Sequence, residues 1–190
     1  MNSTLHKKSP FIGEKVLLRA IELTDVPLMM KHWNTYETRV GLGIFIPDSS
    51  LEREEWIKEI TEKGKKGESF VFAIINKKTN DFLGVCSLSK VNKINRGAFM
   101  GVAIYNPEDH NKGFGTDAVT CLLKIGFDIL NLHRIELHVY EFLESAIHIY
   151  KKLGFKEVGI RREASFIAGE YRNDLVMDIL ENEFKDFNKN

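Results

Sequence analysis

Cysteine is scarce in this chain: there are two in 190 residues, Cys86 and Cys121, both inside apolar stretches. A secreted domain stapled by disulfides would show pairs framing its loops, so both read as reduced core thiols of a cytoplasmic protein. Net charge is missing too, because 27 Lys and Arg balance 27 Asp and Glu. Without a basic excess there is no field to gather nucleic acid or an anionic membrane, and neither is an expected partner. No apolar run approaches the roughly 18 residues that a membrane span needs. The leader MNSTLHKKSP lacks the apolar stretch of a signal peptide. Metal-ligand spacing is absent as well. His133 and His138 lie five apart on a predicted strand and so point to opposite faces, neither cysteine sits at zinc spacing, and no metal is expected.

What remains is the make-up of a folded globular chain, 43% hydrophobic and 28% charged with four Pro and fourteen Gly. Its length suits a single domain, expected over 1–190 with a core at about 15–181 and polar, frayed ends. Residues 15–21 (KVLLRAI) read as a strand, and Thr24-Asp25 with Pro27 opens a helix carrying Leu28, Met29 and Trp33. Gly41-Leu-Gly43 and residues 47–50 break the chain before a second amphipathic helix at 51–63. Three runs rich in β-branched and aromatic residues, 69–76, 82–91 and 97–105, are separated by polar turns and predict an antiparallel meander. A helical period of Ala118, Leu122, Ile125 and Ile129 predicts a buried helix over 116–130. A strand at 133–141, a helix at 143–152 stopped by Leu153-Gly154-Phe155, and strands at 156–162 and 171–180 complete one α/β unit, β-α-α-β-β-β-α-β-α-β-β.

The segment AIYNPEDHNKGFGT, residues 103–116, carries an apolar strand through a short polar loop into a glycine-bearing helix start. Gly113 and Gly115 let the backbone approach an anion closely, where first-turn N–H groups and the positive helix end would cradle phosphate oxygens and Thr116 would add a hydroxyl. By itself a G-x-G turn is equally a tight strand-to-helix connection. The phosphate-loop pattern G-x-x-x-x-G-K-[ST] is absent. A dinucleotide fold would want βαβ units from the start instead of the meander that precedes this turn.

His110-Asn111-Lys112-Gly113-Phe114-Gly115 resembles the Q/R-x-x-G-x-G/A turn with which GNAT acetyltransferases bind acetyl-CoA, with His110 in place of Gln or Arg. Downstream, Ala146-Ile-His-Ile-Tyr150-Lys-Lys-Leu-Gly-Phe155 is similar to that family's A-x-x-x-Y-x-x-x-G-F segment. The likeness covers roughly 15 to 180. It is closest to the RimJ/RimL and spermidine acetyltransferase branch, particularly at Gly169-Glu-Tyr-Arg-Asn-Asp174 with Met177. Two further departures are Leu143, where relatives commonly have Asn, and Phe99, where many have Glu.

The resemblance implies a mixed, mainly antiparallel sheet of six or seven strands flanked by helices, and transfer of acetyl from acetyl-CoA to a primary amine. It implies a phosphate cradle at His110, Asn111, Lys112, Gly113, Phe114, Gly115 and Thr116. The main chain of Val102, Ala103 and Ile104 would hold the pantetheine arm where the strands around Tyr105 and His138 splay apart. Tyr150 would protonate the departing thiolate, and His138, where some relatives have Glu, would accept the amine proton directly or through water. The acceptor is a protein N-terminus or a small amine such as a polyamine. Glu37, Asp48, Glu52, Glu55 and Glu170 are candidates to attract its charge. A homodimer through the last hairpin stays open, and a non-catalytic acyl-CoA-binding module is the alternative to an enzyme.

Overall fold

The computed structural model describes residues 9–187; the rest of the polar leader and residues 188–190 lie outside it. Strands β1 (Val16–Ala20), β2 (Phe70–Asn76), β3 (Phe82–Asn92), β4 (Gly97–Ile104), β5 (Arg134–Tyr140), β6 (Lys156–Ile167) and β7 (Glu170–Leu180) form one sheet in the order β1-β2-β3-β4-β5-β7-β6. All neighbours pair antiparallel except β4 and β5, and the predicted meander is β2-β3-β4.

Because strand side chains alternate, the sheet buries two apolar faces. On one, Met100, Ile135, Leu137, Met177 and Ile179 pack under α4 (Phe114–Lys124), which continues through a π turn at Ile125–Ile129, and under α5 (Glu144–Lys152). On the other, Ala73, Ile75 and Tyr105 meet Met29 and Trp33 of α1 (Val26–Trp33) and Ile57 and Ile60 of α3 (Ser50–Lys65). Cys86 and Cys121 are buried and free, and burial raises both thiols, Cys121 to about 11, so neither is a thiolate at neutral pH.

Two helices lie where the sequence predicted none. Residues 36–42 form α2 (Tyr36–Leu42), and Gly43, at φ 66°, is the left-handed residue that ends it. The glycines expected to break the chain therefore close a short helix. The expected frayed end is α6 (Glu181–Phe187), held by Phe184, which stacks 5.3 Å from Phe127 in the core under α4. The last two strands are longer than expected, and bulges between Glu157 and Gly159 and between Arg161 and Ser165 absorb the added residues.

The parallel junction positions the site. β4 and β5 pair only at Gly97, Ala98 and Phe99 against Arg134, Ile135 and Glu136, although both strands run several residues further. Beyond that point they diverge. Tyr105 donates its N–H to Leu83 of β3, so by strand alternation the main-chain groups of Val102 and Ile104 face the opened gap.

Candidate active site

At the end of β4 the chain makes a short turn, Pro107–Asp109, capped by the Asn106 side chain, which accepts the Glu108 N–H at 3.1 Å. Asn111 and Gly113 then take left-handed φ values of 59° and 84° and deliver the chain to α4. The first N–H received inside the helix is that of Asp117, bonded to the Gly113 carbonyl at 3.1 Å. Among the described residues the N–H groups of Phe114, Gly115 and Thr116 have no partner. Three open donors at the positive end of an eleven-residue helix form an anion cradle.

A cleft of about 440 Å3 runs from this cradle along the free edge of β4. Val102, Ala103 and Ile104 form its floor, His110, Asn111, Gly113, Gly115 and Thr116 its end at the cradle, and Ala146, Ile149 and Tyr150 of α5 its far wall. Tyr150 is 8% exposed, and its ring packs 5.6 Å from Phe155. Its hydroxyl has no hydrogen-bond partner among the described residues. Burial pushes that phenol up to about 12, so it stays protonated and able to donate throughout the neutral range.

The remaining predicted residues are distributed unevenly. His110 lines the cleft, but its ring turns back onto the strand, with Nε2 2.9 Å from the Ile104 carbonyl. Lys112 pairs with Asp109 at 2.9 Å. Phe114 begins α4 and packs against the core beneath it. Leu143 stands at the start of α5 with no side chain capping the helix, which is what replacing Asn by an apolar residue entails.

His138 is not among the cleft residues. It lies on the open face of β5, its ring 5.4 Å from that of Phe99, with Nε2 3.0 Å from the Glu136 carboxylate and Nδ1 2.9 Å from Arg161. The guanidinium can only donate, so Nδ1 accepts from Arg161. Glu136 and Tyr140, two residues away on either side, share its face by strand alternation. Tyr140 reaches across to the Leu42 carbonyl at 3.4 Å.

Of the five carboxylates considered for the acceptor, only Glu37, exposed on α2, lines the cleft. Asp48 is occupied by Arg39, Arg53 and the Trp33 indole at 3.1, 2.7 and 2.9 Å. Glu52 closes the capping box of α3 with Ser49, Glu55 is exposed away from the cleft, and Glu170 pairs with Arg172. Sequence reasoning missed Thr38, whose hydroxyl donates to the Tyr105 carbonyl at 2.9 Å and ties α2 to the end of β4. It also missed Val119, which the helical period four residues after Gly115 would have placed in the cleft. Among the described residues no three His, Cys, Asp or Glu side chains stand where they could hold one metal ion, and no helix is long and apolar enough to cross a membrane.

The seven-stranded sheet opens at its parallel junction, and the open helix start of α4 stands beside the split. Residues 15–156 match the acetyltransferase (GNAT) domain, and the chain belongs to that family of acetyltransferases. It is 26% identical over 171 residues to the uncharacterized N-acetyltransferase p20 of Bacillus licheniformis, covering 90% of this chain and 96% of that one. It is 38% identical over 101 residues to the spermidine N(1)-acetyltransferase of Escherichia coli K12, a match spanning 53% of this chain and about half, 54%, of that enzyme. In structure it resembles spermidine N-acetyltransferase from Vibrio cholerae in complex with CoA and spermine, with a TM-score of 0.81 and 29% identity over 90% of this chain and 98% of that one.

The cradle makes a direct prediction. A Cβ built on Gly115 meets nothing closer than Ile104 Cγ1 at 3.9 Å, so Gly115→Val should fold normally while its methyl groups fill the cradle end of the cleft. Titration should show acetyl-CoA affinity lowered at least ten-fold, about 1.4 kcal/mol. An unchanged dissociation constant would remove the phosphates from this turn.

Proposed function

We propose that this enzyme acetylates a primary amine of a polyamine such as spermidine, with acetyl-CoA as donor. The observation that carries the reading is the continuous cleft from the open N–H groups of α4, along the free edge of β4, to the unpartnered Tyr150 hydroxyl. The phosphates lie at the cradle, Val102 and Ile104 bond the pantetheine arm through main-chain groups, and the thioester arrives beside Tyr150. The neutral amine attacks the thioester carbon, the C–N bond forms, the C–S bond breaks, and the Tyr150 proton passes to the departing thiolate sulfur.

His138 takes the proton lost by the amine, through water, because its side chain lies outside the cleft lining. To take that proton, Nδ1 must first be released by the Arg161 guanidinium, and the Glu136 carboxylate at Nε2 would then stabilise the imidazolium so formed. His138→Gln should lower kcat at least about ten-fold and leave acetyl-CoA affinity unchanged; an unaltered kcat takes His138 out of the mechanism.

A polyamine is favoured over a protein N-terminus by the relatives named for spermidine and by Glu37 on the acceptor side of the cleft. The two buried free thiols fit a cytoplasmic location. Competition between spermidine and short peptides with free N-termini tests the acceptor. Spermidine should win by at least about 10²-fold in kcat/KM, a difference of roughly 2.7 kcal/mol at the transition state. A peptide preference would overturn the polyamine reading and leave the cofactor half standing.

A further inference from the structure

We propose that Lys15 is a phosphate ligand of the cofactor site, supplying the cationic side chain that position 110 does not. The inference rests on the acetyl-CoA reading above. Lys15 precedes β1 and is distant in sequence from the cradle, but Asp117, in the first turn of α4, binds the two segments together. Its carboxylate accepts the N–H groups of Glu14, Lys15 and Val16 at 3.1, 2.7 and 2.9 Å. With its backbone pinned in this way, Lys15 extends its ammonium over the turn. Nζ lies 2.6 Å from the Lys112 carbonyl, and a Cβ on Gly113 would come within 2.9 Å of it.

The electrostatics of that position are one-sided. A helix start carries partial positive charge and favours anions, so an ammonium there is opposed by the dipole and by the open N–H groups of Phe114, Gly115 and Thr116. Neither neighbouring carboxylate pairs with Nζ, since Asp117 is engaged by three main-chain donors and Asp109 by Lys112. An entering phosphate would be met by the ammonium and the open N–H groups together, in a charge-assisted contact. His110, turned onto the Ile104 carbonyl, makes no such contact in this arrangement.

The test is acetyl-CoA titration of the full chain carrying Lys15→Met, with Lys15→Arg as the charge-retaining control. Lys15 is exposed and its main-chain bonds do not depend on the side chain, so both variants should melt with the wild type. Lys15→Met should bind acetyl-CoA roughly ten-fold more weakly at low salt, and Lys15→Arg within about three-fold of wild type. The deficit should shrink as salt is added. Dephospho-CoA separates the two sources of phosphate: a deficit that persists assigns Lys15 to the pyrophosphate, and one that vanishes assigns it to the 3′-phosphate. Equal binding by wild type and Lys15→Met overturns the inference alone, whereas a wild-type chain that does not bind acetyl-CoA overturns the cofactor reading beneath it.

Discussion

Replacing Tyr150 by Phe should lower kcat by about 10²–10⁴-fold while leaving acetyl-CoA affinity within about two-fold of wild type. The exchange removes one hydroxyl from a ring whose packing against Phe155 and the α5 side of the core stays intact. Since that hydroxyl bonds no group among the described residues, no buried partner there is orphaned, and the lost rate reports proton donation. The pH dependence has a definite sign. Burial raises this phenol to about 12, so its acid form is fully present through the ordinary tyrosine value near 10 and is lost only as pH approaches 12. Turnover should therefore show no decline assignable to Tyr150 between pH 8 and 10, measured with acceptor saturating. A Tyr150→Phe enzyme turning over at the wild-type rate across that range would end the acid assignment.

Asp48→Asn should destabilise the fold by about 3–5 kcal/mol in denaturant unfolding. Asp48 joins the end of α1, α2 and α3 through Trp33, Arg39 and Arg53, and Asn34 bonds its main chain on both sides, at 2.8 and 3.1 Å. Arg39 is 3% exposed, and among the described residues its Nε and NH1 have no hydrogen-bond partner and Asp48 is its sole counter-charge. Losing that carboxylate charge strands a buried guanidinium. Arg39→Met is the informative contrast, because it removes the under-bonded charge and leaves Asp48 its ion pair with Arg53; it should cost less than about 1.5 kcal/mol. The same hub holds the helix that brings Glu37 and Thr38 to the cleft, so Asp48→Asn should raise the acceptor KM and spare acetyl-CoA affinity. Equal costs for the two substitutions would show that charge burial is not what sets the stability of this corner.

How much of this was legible in the sequence depended on the range of the interactions. The β2-β3-β4 meander and α4 are readable because period-two and period-3.6 patterns are local and each has a buried face to satisfy. The cradle is readable in kind, since glycines between a strand and a helix imply close backbone approach. α2 is hidden because a seven-residue helix is too short to show a period, and its terminating glycine imitates a loop. α6 looks like a polar tail, and Phe184 anchors it from a single position. The side chain of His110 and the placement of Lys15 are set by contacts with Ile104 and Asp117 that no local pattern encodes. The acidic residues near 37–55 look interchangeable in sequence, and only tertiary structure sorts Glu37 into the cleft and Asp48 into an ion-pair hub.

The most direct test of the central claim is release of free CoA thiol from acetyl-CoA, followed with spermidine as acceptor and the acetylated amine quantified in parallel. Saturable release with one acetylated amine formed per thiol, lost in Gly115→Val and strongly slowed in Tyr150→Phe, is the predicted result. Binding of acetyl-CoA with no thiol release above hydrolytic background for any polyamine or free N-terminus would contradict it, and would make the chain a binding module built on an acetyltransferase fold.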